Sequence, residues 1–487
     1  MRASRRPSPT TSRPTPRPGA SRTVPRRRPS GLRRAPAVAL LLAGVLALAS
    51  CTSGGTGDTA GGTAPSSALE ASARAVDLSG WRWDKQPGPM EIGVTHTQNS
   101  LDDTEPAQAR QRGVDILSSL GQEYQNHHLM GFGTLNPEPR PGEYEWGSLD
   151  RRMQLTQETG GKAMLTLCCS PDWMKGAPRD SGATRWDRLE KAPLPEHFTD
   201  FANLAREAVQ RYPQVDRVLV WNEMKGFYNE AENRWDYEGY TTMYNEVYRA
   251  VKSVRPDVQV GGPYVVMSSV PVDSGDASDI RGAWGALDQR PLDVLDYWLK
   301  NNVGADFIVV DGSTTNRGQQ DAISPVDVGA EKFSVIDRWI QERTQLPIWW
   351  AEFYANVPAD AQAGYATPAS AVSTIAALQA MARSGTQGSL LWGPEGSDSL
   401  AYSSLWTPAT EENGGQPTPL TDAWRWLVPK LREGTVELGR ATDGSSLGGF
   451  RAADGSVLLV NFSADPVPVS GQEDVPGWAV VPMTSTS

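Results

Sequence analysis

Residues 218–229 read VLVWNEMKGFYN. Val218, Leu219 and Val220 have the composition of a buried strand, yet Trp221 is followed at once by Asn222 and Glu223. A carboxylate is costly inside a packed core unless it is paired or solvated, so this strand must open at its end onto a polar mouth. Seven other runs end the same way, on polar or glycine residues: EIGVTHT (91–97), HLMGFGT (128–134), KAMLTLCC (162–169), VQVGGPY (258–264), DFIVVDG (306–312), PIWWAEF (347–353) and GSLLWGP (388–394). Between them lie segments with apolar residues three and four apart, such as HFTDFANLAREAVQRY (197–212) and YTTMYNEVYRAVKSV (240–254). Strands that alternate with helices favour a parallel sheet, and eight units are the number that closes a (β/α)8 barrel. A doubly wound open sheet is the alternative arrangement.

In such a barrel the C-terminal strand ends face the active-site mouth. Glu223 ends the fourth run and Glu352 falls in the seventh, so two carboxylates from opposite sides of the mouth converge on one bond. Either glutamate alone reads equally well as a structural ion pair; the two together, at strand ends four and seven, have the form of the carboxylate pair that flanks a glycosidic linkage. A separation of about 5–5.5 Å between the carboxyl groups is then expected, which is the retaining geometry. His96 and Tyr264 close the first and fifth runs and are candidates for contact with a sugar. Trp173, in a loop on the same face, offers an aromatic surface for stacking on sugar C–H groups.

The motifs themselves carry a resemblance. VWNE (220–223) followed by WWAEF (349–353) resembles the acid/base and nucleophile motifs of the clan A glycoside hydrolases, and VGGP (260–263) resembles the fifth strand of family 39, the β-xylosidases and iduronidases. LNPEPRPGEYEWGSLDRR (135–152) is similar to the loop after strand two in that clan. The resemblance spans about residues 91–394 and implies Glu223 as general acid/base, Glu352 as nucleophile, Asn222 as donor to the sugar 2-hydroxyl and Trp392 as a sugar-stacking ring. It implies a retaining glycosidase, β-xylosidase-like, acting on an oligosaccharide or polysaccharide of cell-wall or plant type, with no cofactor and no metal. Two positions depart from the pattern. Met224 stands where many members have proline, and Asp311 ends strand six where an aromatic or histidine residue is common. Asp311 is therefore read as a hydroxyl ligand or as a group that tunes a neighbouring carboxylate. A non-catalytic carbohydrate-binding protein is the competing reading, and it has no need of an acid/nucleophile pair.

The flanks differ from the barrel. The first fifty residues hold 11 Arg, no Lys and no acidic residue. They run into APAVALLLAGVLALAS (35–50), which has the length of an export-signal core and is too short for a stable membrane span. Leu48, Ala49, Ser50 and Cys51 resemble the lipobox of bacterial lipoproteins, which implies cleavage before Cys51 and lipid on its sulfur. Residues 1–50 are thus expected as signal peptide, 51–80 as a Gly/Ser/Thr/Ala-rich tether, 81–432 as the barrel and 433–487 as a small antiparallel β-sandwich, read from the short alternating runs after residue 433. The expected location is extracytoplasmic, held at the cell membrane by lipid alone. Without its first fifty residues the chain has 35 basic against 57 acidic residues, so nucleic acid is excluded as a partner and a neutral ligand such as a saccharide is favoured. Cys168 and Cys169 stand either as a vicinal disulfide or as two small buried thiols. The four histidines show no metal-site spacing, and the number of chains in the assembly stays open.

Overall fold

The computed structural model describes residues 74–485, apart from 320, 398, 399, 401 and 470–472. The expected signal peptide, the lipidation site Cys51 and the tether as far as residue 73 lie outside the described residues. Among the described residues no helix is long and apolar enough to cross a membrane.

Eight parallel strands close a barrel in chain order: β1 (Glu91–Thr95), β2 (Tyr124–His128), β3 (Lys162–Leu167), β4 (Val215–Val220), β5 (Gln259–Val266), β6 (Phe307–Ser313), β7 (Ile348–Tyr354) and β8 (Gly388–Trp392). Helices α1 (Ala107–Ser119), α2 (Gly147–Glu158), α3 (Phe198–Arg211), α4 (Tyr237–Val254), α5 (Gln289–Asn301), α6 (Val326–Gln341), α7 (Pro368–Ser384) and α8 (Pro419–Glu433) follow the strands in turn. The strands alternate between two cores. Val218 and Val220 of β4, Ile308 and Val310 of β6, and Ile348 and Trp350 of β7 pack outward against the helices. Leu219, Phe307, Val309, Trp349 and Ala351 fill the barrel interior with Tyr124, Met164, Tyr264 and Leu390. This period of two is the signal that made the runs legible as strands.

One run is displaced from its strand. The second strand is Tyr124–His128, and the segment expected there, 128–134, continues from it as a loop. Every residue of YQNHH is buried. Its polar groups are held by neighbours: Asn126 Nδ2 donates to Thr95 Oγ1 at 3.1 Å and to Thr166 Oγ1 at 2.9 Å, and Gln125 Nε2 donates to Thr159 Oγ1 at 2.8 Å. Hydrogen bonding across three strands thus supports a strand that apolar patterning passes over.

The second body is a six-stranded sheet in the order 74–76, 480–485, 456–461, 447–451, 437–441, 81–85. It is antiparallel except where Arg74–Val76 runs parallel to the last strand. Both edge strands precede the barrel in sequence, so Trp81–Lys85, expected as the start of the barrel, belongs to this sheet, as does Arg74–Val76 from the expected tether. The pairing of Trp81 with Ala441 closes a loop that contains the whole barrel, and so long a closure has no local sequence signal. Among the described residues the expected antiparallel β-domain is this one sheet. Leu438, Phe450, Leu458, Val460 and Phe462 join the main core, and Gln379 of α7 donates to the Gly449 carbonyl at 2.9 Å.

Candidate active site

The turn after β4 is built around Trp221. Its ring is fully buried, packs edge-on against Phe201 and Phe227, and donates from Nε1 to the Lys225 carbonyl at 2.8 Å. Trp221, Glu223 and Met224 all take positive φ, at 71°, 49° and 50°. Left-handed backbone costs a non-glycine residue about 1 kcal/mol or more, so packing must hold this turn in shape. Proline is locked near φ −65° and cannot adopt the Met224 conformation, which gives the departure from the clan pattern a physical meaning. Gly226 follows with φ +79°, and a Cβ there would lie 2.2 Å from the Ala192 nitrogen. The turn therefore presses against the loop after β3, where Lys225 Nζ bridges Glu190 at 2.9 Å and Glu223 at 3.1 Å.

Two register shifts aim the other groups. Between β6 and β7, Val310 pairs with Trp350 but Asp311 pairs with Glu352, so Ala351 is an extra residue and Glu352 swings from the helix side into the barrel mouth. Between β5 and β6, Val309 pairs with Pro263 but Val310 pairs with Val265, so Tyr264 is the extra residue, at φ 53°, and also points inward. Tyr264 Oη donates to Glu352 Oε1 at 2.5 Å, and Tyr354, two residues beyond the glutamate, donates to Oε2.

The carboxylates of Glu223, Asp311 and Glu352 converge, with an oxygen of each within 4.8 Å of the others. Burial, and then the charge of Glu223, raises Glu352 to about 8 against the two tyrosine hydrogen bonds, which lower it. Burial and the two glutamates hold Asp311 well above the usual carboxylate range. Burial works against the Lys225 charge, but Glu223 and Glu190 outweigh it and keep the ammonium protonated. Among the described residues this acidic trio is the group whose donor atoms come close enough to hold a cation, although the Lys225 ammonium already lies against it.

The other expected residues divide. Asn222 is fully buried beside His128, and its amide has no hydrogen-bond partner among the described residues. Trp392 stands at the end of β8, edge-on to His128 at 5.8 Å and to Phe132 at 5.6 Å. His96 is buried one layer back: Nδ1 bonds Ser100 Oγ at 2.8 Å, the ring stacks on His127 at 4.7 Å, and burial holds it neutral with a pKa of about 3. Trp173 is not brought to the mouth as a stacking surface. Its ring is buried, with Nε1 on the Glu138 carbonyl at 3.0 Å, Arg179 over the face at 4.6 Å and His197 against it edge-on. Cys168 and Cys169 are fully buried and joined as a vicinal disulfide.

Four residues were missed. Tyr354 had a signal, since period two from Glu352 gives it the same face. Lys225 had one too, two positions after Glu223 in the same turn. His128 was passed over as the start of a run; its buried ring is kept neutral, at about 3, and neither ring nitrogen has a hydrogen-bond partner among the described residues. Phe132, whose ring lies 4.4 Å from His128 and 5.3 Å from Lys225 Nζ, comes from a loop with no repeating pattern.

The model of glycosyl hydrolases family 39 matches residues 190–389, a span that contains Glu223, Asp311 and Glu352. No curated protein matches the sequence. Among solved structures, the chain is similar to a β-xylosidase from Caulobacter crescentus CB15, with a TM-score of 0.53, 18% identity, and coverage of 83% of this chain and 79% of that one. It is also similar to SrfJ from Salmonella typhimurium, with a TM-score of 0.53, 12% identity, and coverage of 85% and 93%. At these identities the likeness establishes the shared barrel fold.

Proposed function

We propose that this chain is a retaining glycoside hydrolase that cleaves an O-glycosidic bond by double displacement, with Glu352 as nucleophile and Glu223 as general acid/base. The observation that carries the reading is the approach of the Glu223 and Glu352 carboxylates, with oxygens within 4.8 Å across the barrel mouth. This oxygen-to-oxygen approach favours the retaining spacing of about 5–5.5 Å between carboxyl groups over the about 6.5–9.5 Å of an inverting pair, which leaves room for the attacking water. The family match over 190–389 supports glycoside hydrolysis independently of that distance.

In this mechanism the Glu352 carboxylate attacks the anomeric carbon as the glycosidic C–O bond breaks, and the Glu223 proton goes to the departing oxygen. Tyr264 and Tyr354 fix both oxygens of the nucleophile. The glycosyl-enzyme ester carries no charge on Glu352, so ionised Glu223 can then take a proton from water, whose oxygen attacks the same carbon and releases Glu352. Asn222, buried without a partner beside the acid/base, is suited to the sugar 2-hydroxyl. His128, Phe132 and Trp392 form one aromatic cluster beside Asn222, suited to the same sugar. The resemblance favours a β-xylosidase-like substrate of cell-wall or plant type. The N-terminal sequence supports export and lipid anchoring at Cys51.

A panel of aryl glycosides, with the anomeric configuration of the first-formed product followed by NMR, tests the reading. Turnover with retained configuration is expected. An inverted product would reject the double displacement, and binding of sugars without turnover of any glycoside would reject the enzyme.

A further inference from the structure

Asp311 has no assigned part in this reaction, yet its carboxyl lies among the reacting groups. Its residue is 1% exposed, neither carboxyl oxygen accepts a hydrogen bond from a donor group among the described residues, its carboxyl meets that of Glu223, and it is the register partner of Glu352 on the adjacent strand. Three carboxyl groups within 4.8 Å of one another cannot all be ionised in a buried site.

The groups that face Asp311 decide which one keeps a proton. From β7 come Glu352 and Tyr354, and from β5 comes Tyr264, whose hydroxyl is spent on Glu352. From the turn after β4 come Glu223 and Lys225, whose ammonium is divided between Glu190 and Glu223. Tyr402 approaches from the loop after β8. Lys332 of α6 is the cation behind Asp311, but its Nζ bonds Ser269 Oγ at 2.8 Å and the Thr315 carbonyl at 3.0 Å rather than the carboxylate. Glu352 has two phenols to stabilise its charge, and Glu223, which carries its own proton as the general acid, has the Lys225 ammonium against it. Asp311 has neither.

Resting on the roles given above to Glu223 and Glu352, we propose that Asp311 is a positioning residue that stays protonated at working pH and gives its carboxyl hydrogen to the neighbouring glutamate pair. When Glu352 gives up its own proton, its charge then stands beside a neutral acid rather than beside a second anion. The site operates with three carboxyl groups and one more proton than a two-carboxylate glycosidase. The burial that lifts Asp311 far above the carboxylate range agrees with this arrangement.

Infrared difference spectra of wild type against Asp311→Asn, and against Asp311→Ala as a second carboxyl-free variant, test it at neutral pH. A carboxylic acid C=O band present in wild type and lost in the variants is expected. A difference in the carboxylate region instead would overturn the proposal. In kinetics, Asp311→Asn should lower kcat while leaving the alkaline limb of the kcat/KM profile in place. A shift of that limb to lower pH by about one unit or more would mean that a negative charge had been removed, and would also overturn it. If wild type turns over no glycoside, the functional reading fails, and the infrared result still decides the state of Asp311.

Discussion

Tyr264 donates its hydroxyl to Glu352 Oε1 at 2.5 Å, and the two meet because a register shift on each side of β6 turns both side chains into the barrel mouth. Without those shifts, alternation would send each to the helix side. The phenol stabilises the ionised form of Glu352, so its removal should push the nucleophile higher still. Tyr264→Phe is expected to lower kcat/KM by about 10- to 100-fold, the range for one hydrogen bond to a charged group, and to move the acid limb of the pH profile to higher pH. An acid limb that stays in place would show that the contact does not tune the nucleophile.

The same raised carboxyl predicts how stability depends on pH. Glu352 is held at about 8 in the folded protein against an ordinary value of 4.5. The folded state therefore keeps a proton that the unfolded chain releases, and the associated stability is full below about pH 4.5 and is lost as pH rises towards 8. Glu352→Gln, neutral at every pH, should melt several degrees above wild type at pH 8, with the gap closing towards pH 4. Equal melting temperatures at pH 8 would mean that no such cost exists.

How much of this was legible in the sequence depends on where the information lay. The eight-strand count, and the places of Glu223 and Glu352 at strand ends four and seven, follow from apolar runs whose periodicity is local, whereas the face on which Glu352 stands is set by the register shift against β6. The second strand was displaced because Gln125, Asn126 and His127 bond side chains from other elements, which no window along the chain can contain. The inward turn of Tyr264 is set by pairing between strands, and the sheet edge at Trp81–Lys85 by pairing with Glu437–Ala441 at the far end of the chain. Trp173 misled because composition gives a tryptophan near a strand end but not what covers its face.

The vicinal pair has a direct chemical test. Cys168 and Cys169 are buried and joined, so protein unfolded in denaturant with an alkylating agent and no reductant should gain no mass at this peptide. After reduction it should gain two alkyl groups. Two modified thiols without reductant would reject the bridge.

Cys51 and the apolar run before it bear on location. Cys51→Ala should move the protein from the membrane fraction to the soluble fraction or leave an unprocessed precursor, with loss of lipid labelling. Unchanged labelling would sink the anchor.

The two glutamates should fail differently when truncated. Glu352→Ala removes the group that forms the new bond to the anomeric carbon, so turnover of every substrate should fall by several orders of magnitude. Azide, small enough for the space left by the carboxylate, should restore part of the rate on activated aryl glycosides. It attacks from the side of the lost nucleophile and should give a glycosyl azide of inverted configuration. Glu223→Ala leaves the attack intact but removes the proton for the leaving oxygen. Substrates with poor leaving groups should suffer most, and activated aryl glycosides should still pass the first step and then stall as the glycosyl-enzyme, because water has lost its base. Azide should relieve that stall and give a product of retained configuration, since it displaces Glu352 from the opposite face. The same anomer from both variants, or rescue of neither, would show that Glu223 and Glu352 do not divide the roles of acid/base and nucleophile.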